Sequence, residues 1–100
     1  MMNSFKLTTI SNGLLGRREN GVVTREKIKS LILKHGSIEI DLENTSQISP
    51  SFLEEAIVKL VTDLGKDNFK KDVILTNINT SVKDMMNTML ASQIRRQQDT

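Results

Sequence analysis

Residues 37–53 read Ser-Ile-Glu-Ile-Asp-Leu-Glu-Asn-Thr-Ser-Gln-Ile-Ser-Pro-Ser-Phe-Leu and combine a strand signal with a helix signal. From Ile38 to Glu43 apolar and acidic side chains alternate, which predicts a strand with one buried face. Ser49 stands directly before Pro50, and this pair favours a helix start, because serine caps the first turn and proline tolerates the first helical position. A strand, a polar turn and a helix in this order are typical of parallel α/β folds.

Helical periodicity predicts three helices in the chain. Thr24 is predicted to cap a helix that ends at Gly36, and Thr80 or Ser81 to cap the last helix. The helix after Ser49 is predicted to continue to Gly65, because its apolar residues recur on one face: Leu53, Ile57, Leu60, Val61 and Leu64.

The remaining segments are shorter. Residues 73–77 form an apolar run bounded by turn residues and predict an interior strand. Residues 3–10 alternate weakly and predict a further strand. Residues 66–72 are predicted as a charged turn, and residues 11–21, with three glycines and two asparagines, as a flexible loop.

The order of these segments predicts an α/β fold, with a mainly parallel sheet of three or four strands packed with three helices. A length of 100 residues corresponds to one domain. We expect its core at about residues 22–95 and a frayed tail at residues 97–100.

Composition excludes several classes of function. The chain has no cysteine, which excludes disulfides, thiolate nucleophiles and sulfur-ligated zinc, and His35 is its only histidine. The glycine-rich residues 13–18 lack the ending of a phosphate-binding loop, so neither a cofactor nor a metal is predicted. No apolar run is long enough to span a membrane and the N-terminus has no secretory signal pattern, so we expect a cytoplasmic protein.

Charge is unevenly distributed along the chain, although the net charge is only +2. Residues 1–40 carry seven basic against three acidic side chains, a balance of +4. Residues 41–67 carry two against six, a balance of −4, and residues 68–100 carry five against three, a balance of +2. The acidic middle third coincides with the strand, turn and helix quoted above.

The same middle stretch resembles a known family. The run from Ile40-Asp41-Leu42 to Ser49-Pro50-Ser51-Phe52-Leu53 is similar to the strand, loop and helix of STAS domains, the fold of anti-sigma factor antagonists. The chain as a whole, over about residues 13–95, resembles the STAS-like family of unknown function.

The resemblance implies a non-catalytic regulatory module that binds a protein partner. Its docking surface is expected at the loop and helix start over residues 45–55, together with two arginines: Thr45, Ser46, Ser49, Ser51, Phe52, Glu55, Arg17 and Arg18. The implied partner is a kinase-like ATPase or another signalling protein in a bacterial or phage setting.

In the antagonists, the first serine of Asp-Ser-Ser-Gly-Leu is phosphorylated at this helix start. Here Pro50 stands at the position of that serine and Phe52 at that of the glycine. Ser51 and Ser49 are the remaining candidate phosphorylation sites.

Two other classes of function remain open at this point. A nucleic-acid-associated regulator would use the basic residues Arg17, Arg18, Lys70, Lys71, Arg95 and Arg96, although no aromatic residues are interleaved with them. A small enzyme would use Asp41, His35 or a serine.

Two residue patterns also have a structural and a functional interpretation. Glu39, Asp41 and Glu43 lie on one face of the predicted strand, where a solvated face is favoured over a metal or acid–base site. The resemblance to STAS domains implies that Asp41 orders the following loop. The stripe Met85, Met86 and Met89 is expected in the core, with a surface for a homodimer or for a partner helix as the alternative.

Overall fold

The computed structural model of the chain describes residues 2–98, and side-chain burial over residues 2–96. Its strands are β1 (Asn3–Lys6), β2 (Ile38–Asp41) and β3 (Val73–Thr76). Its helices are α1 (Leu7–Ile10), α2 (Arg18–His35), α3 (Pro50–Leu53), α4 (Leu60–Leu64), α5 (Lys66–Asp72) and α6 (Thr80–Gln98), with a π-helical turn at Glu54–Val58 between α3 and α4. No helix within this part of the chain is both long and apolar enough to cross a membrane.

The three strands form one parallel sheet in the order β1-β2-β3, so β2 is central. Phe5 pairs with Ile40 and Ile40 with Leu75, and these side chains face the helices and the core. The opposite face carries Ser4, Glu39 and Ile74 in register and is the more exposed one. The predicted α/β fold with a parallel sheet is therefore confirmed.

The core lies between the sheet and the central helical segment. Its fully buried members are mostly aliphatic: Leu7, Ile28, Ile38, Ile40, Leu42, Phe52, Leu53, Ile57, Leu60 and Val61. Met86 is buried, and Met85 and Met89 pack against the same cluster while half exposed. The methionine stripe thus belongs to the core.

The loop predicted over residues 11–21 ends at residue 17, so its last four residues and the prediction of Thr24 as the helix cap were wrong. Helix α2 begins at Arg18, and Thr24 lies buried inside it. A Cβ atom at Gly21 would lie 2.8 Å from Glu55 Cβ and 2.9 Å from the Phe52 carbonyl oxygen. Glycine is needed at this position because α2 and α3 approach each other closely. The sequence pattern alone predicts a loop here, because glycine is common in loops.

Two other segments also differ from the predictions. Only residues 3–6 of the strand predicted over 3–10 are extended, and α1 follows with Leu7 and Ile10 buried one turn apart. The predicted charged turn at 66–72 is helix α5, because Phe69 enters the core and holds the segment in helical form.

The helix predicted from Pro50 to Gly65 is interrupted by the π-helical turn. Glu55, Ala56, Ile57 and Val58 are all buried, since α2 and α6 both pack on this turn. A regular α-helix buries only one stripe of its surface, so at least one of four consecutive residues would be exposed to solvent. The wider turn lets all four side chains enter the interior.

Gly21→Ala tests the close contact between α2 and α3. Alanine would normally favour a helix by about 1 kcal/mol. Here we expect the free energy of unfolding in urea to fall by about 2 kcal/mol, because the methyl group meets backbone atoms. Gly16→Ala is the matched control, since nothing lies within 4 Å of its added Cβ, and we expect a change within ~0.5 kcal/mol. Equal or higher stability of Gly21→Ala would contradict this packing.

Candidate functional site

The candidate site lies at the carboxyl end of β2, where ligands of parallel α/β folds commonly bind. The Asp41 carboxylate accepts hydrogen bonds from the backbone N–H of Glu43 at 2.9 Å and from Asn77 Nδ2 at 3.1 Å. The backbone bond and then the amide hold the pKa of Asp41 below its ordinary value. Asp41 thus orders the start of the loop that leads to α3, as expected from the sequence.

The middle of this loop is closed by Thr45. Its hydroxyl donates to the Leu42 carbonyl at 2.6 Å, its own carbonyl accepts from Ile48 N at 3.0 Å, and the residue is 1% exposed. The predicted contact of the Thr45 side chain with a partner therefore does not fit its position. Ser46 and Gln47 beside it are exposed.

Ser49 joins two segments that are distant in sequence. Its hydroxyl accepts from Phe52 N at 3.0 Å and so caps α3, as predicted. The same hydroxyl donates to the Gly16 carbonyl at 2.8 Å, and Ser49 N donates to the Leu15 carbonyl at 3.0 Å. These bonds attach residues 15 and 16 to the start of α3 and position the beginning of α2 beside it.

Phe52 and Glu55, two further residues of the predicted docking surface, are buried. Phe52 is a central core side chain. Glu55 is 4% exposed, and its position explains the correction: the π-helical turn carries it under α2 instead of toward solvent.

Glu55 lies at the centre of an ionic cluster of three cations. Lys59 Nζ lies 2.7 Å from Oε2, and Arg18 Nη1 donates to the same oxygen. Arg25 Nη1 lies 3.4 Å from Oε1 and also donates to the backbone oxygen at 2.9 Å. Burial alone would raise the pKa of Glu55, yet the hydrogen bonds from Lys59 and Arg18 outweigh burial and lower it. Glu55 is therefore a buried carboxylate that stays ionised.

Arg25 extends the cluster, and sequence reasoning, which grouped it with the basic residues that could contact phosphates or an acidic partner, missed this internal role. Its Nε lies 3.3 Å from Asp63 Oδ2, which is also 3.3 Å from Lys29 Nζ. The signal was present as spacing: Arg18, Gly21 and Arg25 recur on one face of a helix, and Glu55 and Asp63 lie eight residues apart.

Comparison with protein families matches residues 20–83 to the STAS-like domain of unknown function. The chain belongs to this family. No curated protein and no solved structure matches it.

We give the name Arg18 corner to a part of the surface of this STAS-like domain that consists of Arg17, Arg18, Ser51 and Glu54. The first three belong to the predicted docking surface, and Glu54 is added by the structure. Arg18 Nη1 lies 3.0 Å from Glu54 Oε1, and Nη2 lies 3.5 Å from Ser51 Oγ. Arg17 is exposed at the start of α2, and Ser51 is half-buried. The hydrogen bonds that Arg18 donates to Glu54 and then to Glu55 raise its pKa, so it remains a cation.

A groove of about 220 Å³ continues from the Arg18 corner to α6. Glu54 lies at one side of it, and Ser92 and Arg96 of α6 at the other. The accessible surface around the start of α3 thus carries alternating charges, two hydroxyl groups and a shallow depression.

The six basic residues of the nucleic-acid hypothesis do not form one patch in this STAS-like domain. Arg17 and Arg18 lie beside the helix that follows the carboxyl end of β2. Lys70 and Lys71 lie in α5, directly before the amino end of β3. Arg96 lines a groove together with Glu54 and therefore lies on the same side as Arg17 and Arg18.

The residues of the enzyme hypothesis are also separated. His35 lies at the amino end of the sheet, where its Nδ1 is 3.2 Å from Asn3 Nδ2 and its ring contacts Phe5. Asp41 lies at the carboxyl end of β2. Across residues 2–98 no group of three acidic or histidine side chains has a geometry that holds a metal ion. Glu39 instead accepts hydrogen bonds from Ser4 and Thr76.

Glu55→Gln tests whether the buried charge supports the fold. We expect the free energy of unfolding at neutral pH to fall by about 2 kcal/mol, because three charge-assisted contacts lose their anion. Glu54→Gln is the matched control: its side chain is 41% exposed and forms an ion pair with the exposed Arg18, so we expect a change within ~0.5 kcal/mol.

The same pair of variants predicts a pH dependence. The folded-state pKa of Glu55 is depressed, so its contribution is complete above the unfolded-state pKa of about 4.3 and is lost as pH falls through the lower folded-state value. The stability difference between the unmodified chain and Glu55→Gln should therefore shrink below about pH 4. A difference that is constant from pH 7 to pH 3 would contradict this role.

Proposed function

We propose that this STAS-like domain is a non-catalytic regulatory module of the cytoplasm that binds a protein partner through the Arg18 corner. The observation that carries the proposal is a surface arginine held beside Ser51 and Glu54 by a buried carboxylate. Nη1 is taken up by the two glutamates, so a guanidinium fixed in this way offers Nη2, 3.5 Å from Ser51, to a carboxylate or a phosphate with little loss of side-chain entropy on binding.

Rigidity of the surrounding backbone supports the proposal. Ser49 caps α3 and bonds residues 15 and 16, while Glu55 accepts from α2 and from its own helix. The start of α2 and the start of α3 are thereby held in one arrangement. A preformed surface of this kind suits recognition of a folded partner.

The class of partner follows from the resemblance to anti-sigma factor antagonists. It is a kinase-like ATPase or another signalling protein, in a bacterial or phage cell. The alternating charges of Arg17, Arg18 and Glu54 favour a partner surface with an acidic group opposite the arginines and a basic group opposite the glutamate.

Ser51 is a better candidate than Ser49 for control by phosphorylation. The Ser49 hydroxyl already both accepts and donates within the fold, so a phosphate there would break the cap and the bond to Gly16. Ser51 is half-buried beside Arg18, and a phosphate on it would compete with Glu54 for the guanidinium. Such a change alters the charge of the Arg18 corner without entering the core.

Neither alternative class of function is favoured by a specific contact. The basic residues lie at both ends of the sheet, whereas nucleic-acid binding needs them on one face. His35 and Asp41 lie at opposite ends of the strands, whereas general acid–base catalysis needs groups within hydrogen-bond reach of one substrate.

Arg17→Glu and Ser51→Glu test the proposal. The purified domain is used to capture a partner from native lysate, and binding of that purified partner is then measured by calorimetry. We expect each variant to weaken binding by about tenfold, because each reverses or offsets the positive charge of the Arg18 corner.

Lys34→Glu is the control with the same charge change at the far end of α2, and it should bind within about twofold of the unmodified domain. Thermal unfolding of all three variants checks that the fold is retained. A partner that binds Arg17→Glu and Ser51→Glu as tightly as the control would contradict the proposed surface, as would the absence of any protein partner.

A further inference from the structure

A second surface, independent of the Arg18 corner, lies along β1. An open groove of about 620 Å³ runs between β1 and α2. Its apolar lining includes Phe5, Ile10 and Leu31, and its polar lining includes Lys6 and Lys27. We name it the β1 groove.

The backbone beside this groove is a free sheet edge. β1 pairs with β2 on one side, and within residues 2–98 no strand pairs with its other side. Three consecutive β1 residues, Ser4, Phe5 and Lys6, line the groove, so the groove follows the strand instead of one face of it. A free edge of this kind offers main-chain donors and acceptors to an added strand.

Charge determines which strand the β1 groove fits. Lys6 and Lys27 line it, and none of its lining residues is acidic. The ion pair between Lys6 and Glu43 is long, at 3.8 Å, and both side chains are more than half exposed, so it is weak. Lys27 donates to the Ile10 carbonyl and has no carboxylate partner among the described residues. The groove therefore presents two cations beside an apolar floor.

The paired side of β1 already shows the kind of strand that suits it. There the alternating acidic and apolar strand β2 lies in register, with Ser4 Oγ donating to Glu39 and Phe5 opposite Ile40. We propose that the β1 groove binds an extended segment of a protein partner in which acidic and apolar residues alternate, added as a fourth strand along the free edge of β1.

A second copy of this chain fits the groove less well. A symmetric pairing of two β1 edges would join two patches that each carry Lys6 and Lys27 and no acidic residue among their described lining. Two patches of the same charge repel each other. An acidic segment meets no such repulsion.

The experiment uses a labelled peptide with the sequence Ser-Ile-Glu-Ile-Asp-Leu-Glu, which copies residues 37–43, and a control peptide with lysine at the three acidic positions. Binding is measured by fluorescence anisotropy and mapped by amide chemical shifts in the labelled domain. We expect the acidic peptide to shift the amides of β1 and of α2 near Leu31, and the basic peptide to bind at least about tenfold more weakly.

Lys27→Glu should weaken binding of the acidic peptide by about tenfold. Lys34→Glu, on the same helix but outside the groove, should change the affinity by less than about twofold. Ser30→Glu adds a negative charge to the groove lining from an exposed position and should act like Lys27→Glu. If Lys27→Glu fails to fold because the bond from Lys27 to the Ile10 carbonyl is lost, Ser30→Glu alone tests whether charge in the groove controls peptide binding.

Equal binding of the two peptides, or saturating acidic peptide without shifts at β1, would overturn the inference. So would a dimer in sedimentation whose interface maps to β1, since the occupant would then be a second copy. Partner binding that depends on Arg17 but not on Lys27 would support the proposed Arg18 corner and contradict the β1 groove alone.

Discussion

Helix α2 crosses α3 so closely that only a hydrogen atom fits as the side chain of residue 21. The added carbon of any other residue would meet Glu55 Cβ and the Phe52 backbone at under 3.0 Å or nearly so. Because Phe52 lies fully within the core, this contact cannot relax outward on that side. The position of α2 against the central helical segment, and with it the position of Arg18, therefore depends on Gly21.

The ionic cluster around Glu55 fixes the direction of the same contact. A buried ion pair gives little net stability, because removing its charges from water costs about as much as their attraction returns. Breaking such a pair is costly, however, because the remaining charge is left without a partner. Arg18 and Arg25 reach Glu55 from one helix face, so sliding α2 by one turn would separate both from the carboxylate. The cluster thus acts less as a source of stability than as a constraint on helix register, and it holds Arg18 at the surface as a by-product.

Local sequence patterns predicted the elements whose signals are local. The alternation from Ile38 to Glu43 marked β2, and Ser49-Pro50 marked the start of α3, because pleat and cap are set by neighbouring residues. The start of α2 was missed because Gly21 has a tertiary reason to be in a helix that no single-helix pattern contains. Phe52 and Glu55 were assigned to the surface for a related reason.

The burial of Glu55 depends on the π-helical turn, on which both α2 and α6 pack, whereas Phe52 lies in α3 as a core side chain. Helix α2 then separates the two surfaces that it helps to form. Arg18 and Arg25 face the ionic cluster, whereas Lys27 and Leu31 face the β1 groove. Arg18 and Lys27 are nine residues apart, about 13 Å along the helix, and among the described residues they share no hydrogen-bond partner. The Gly21 contact opposes a shift of α2 as a unit, so we expect the binding energies of the two surfaces to add.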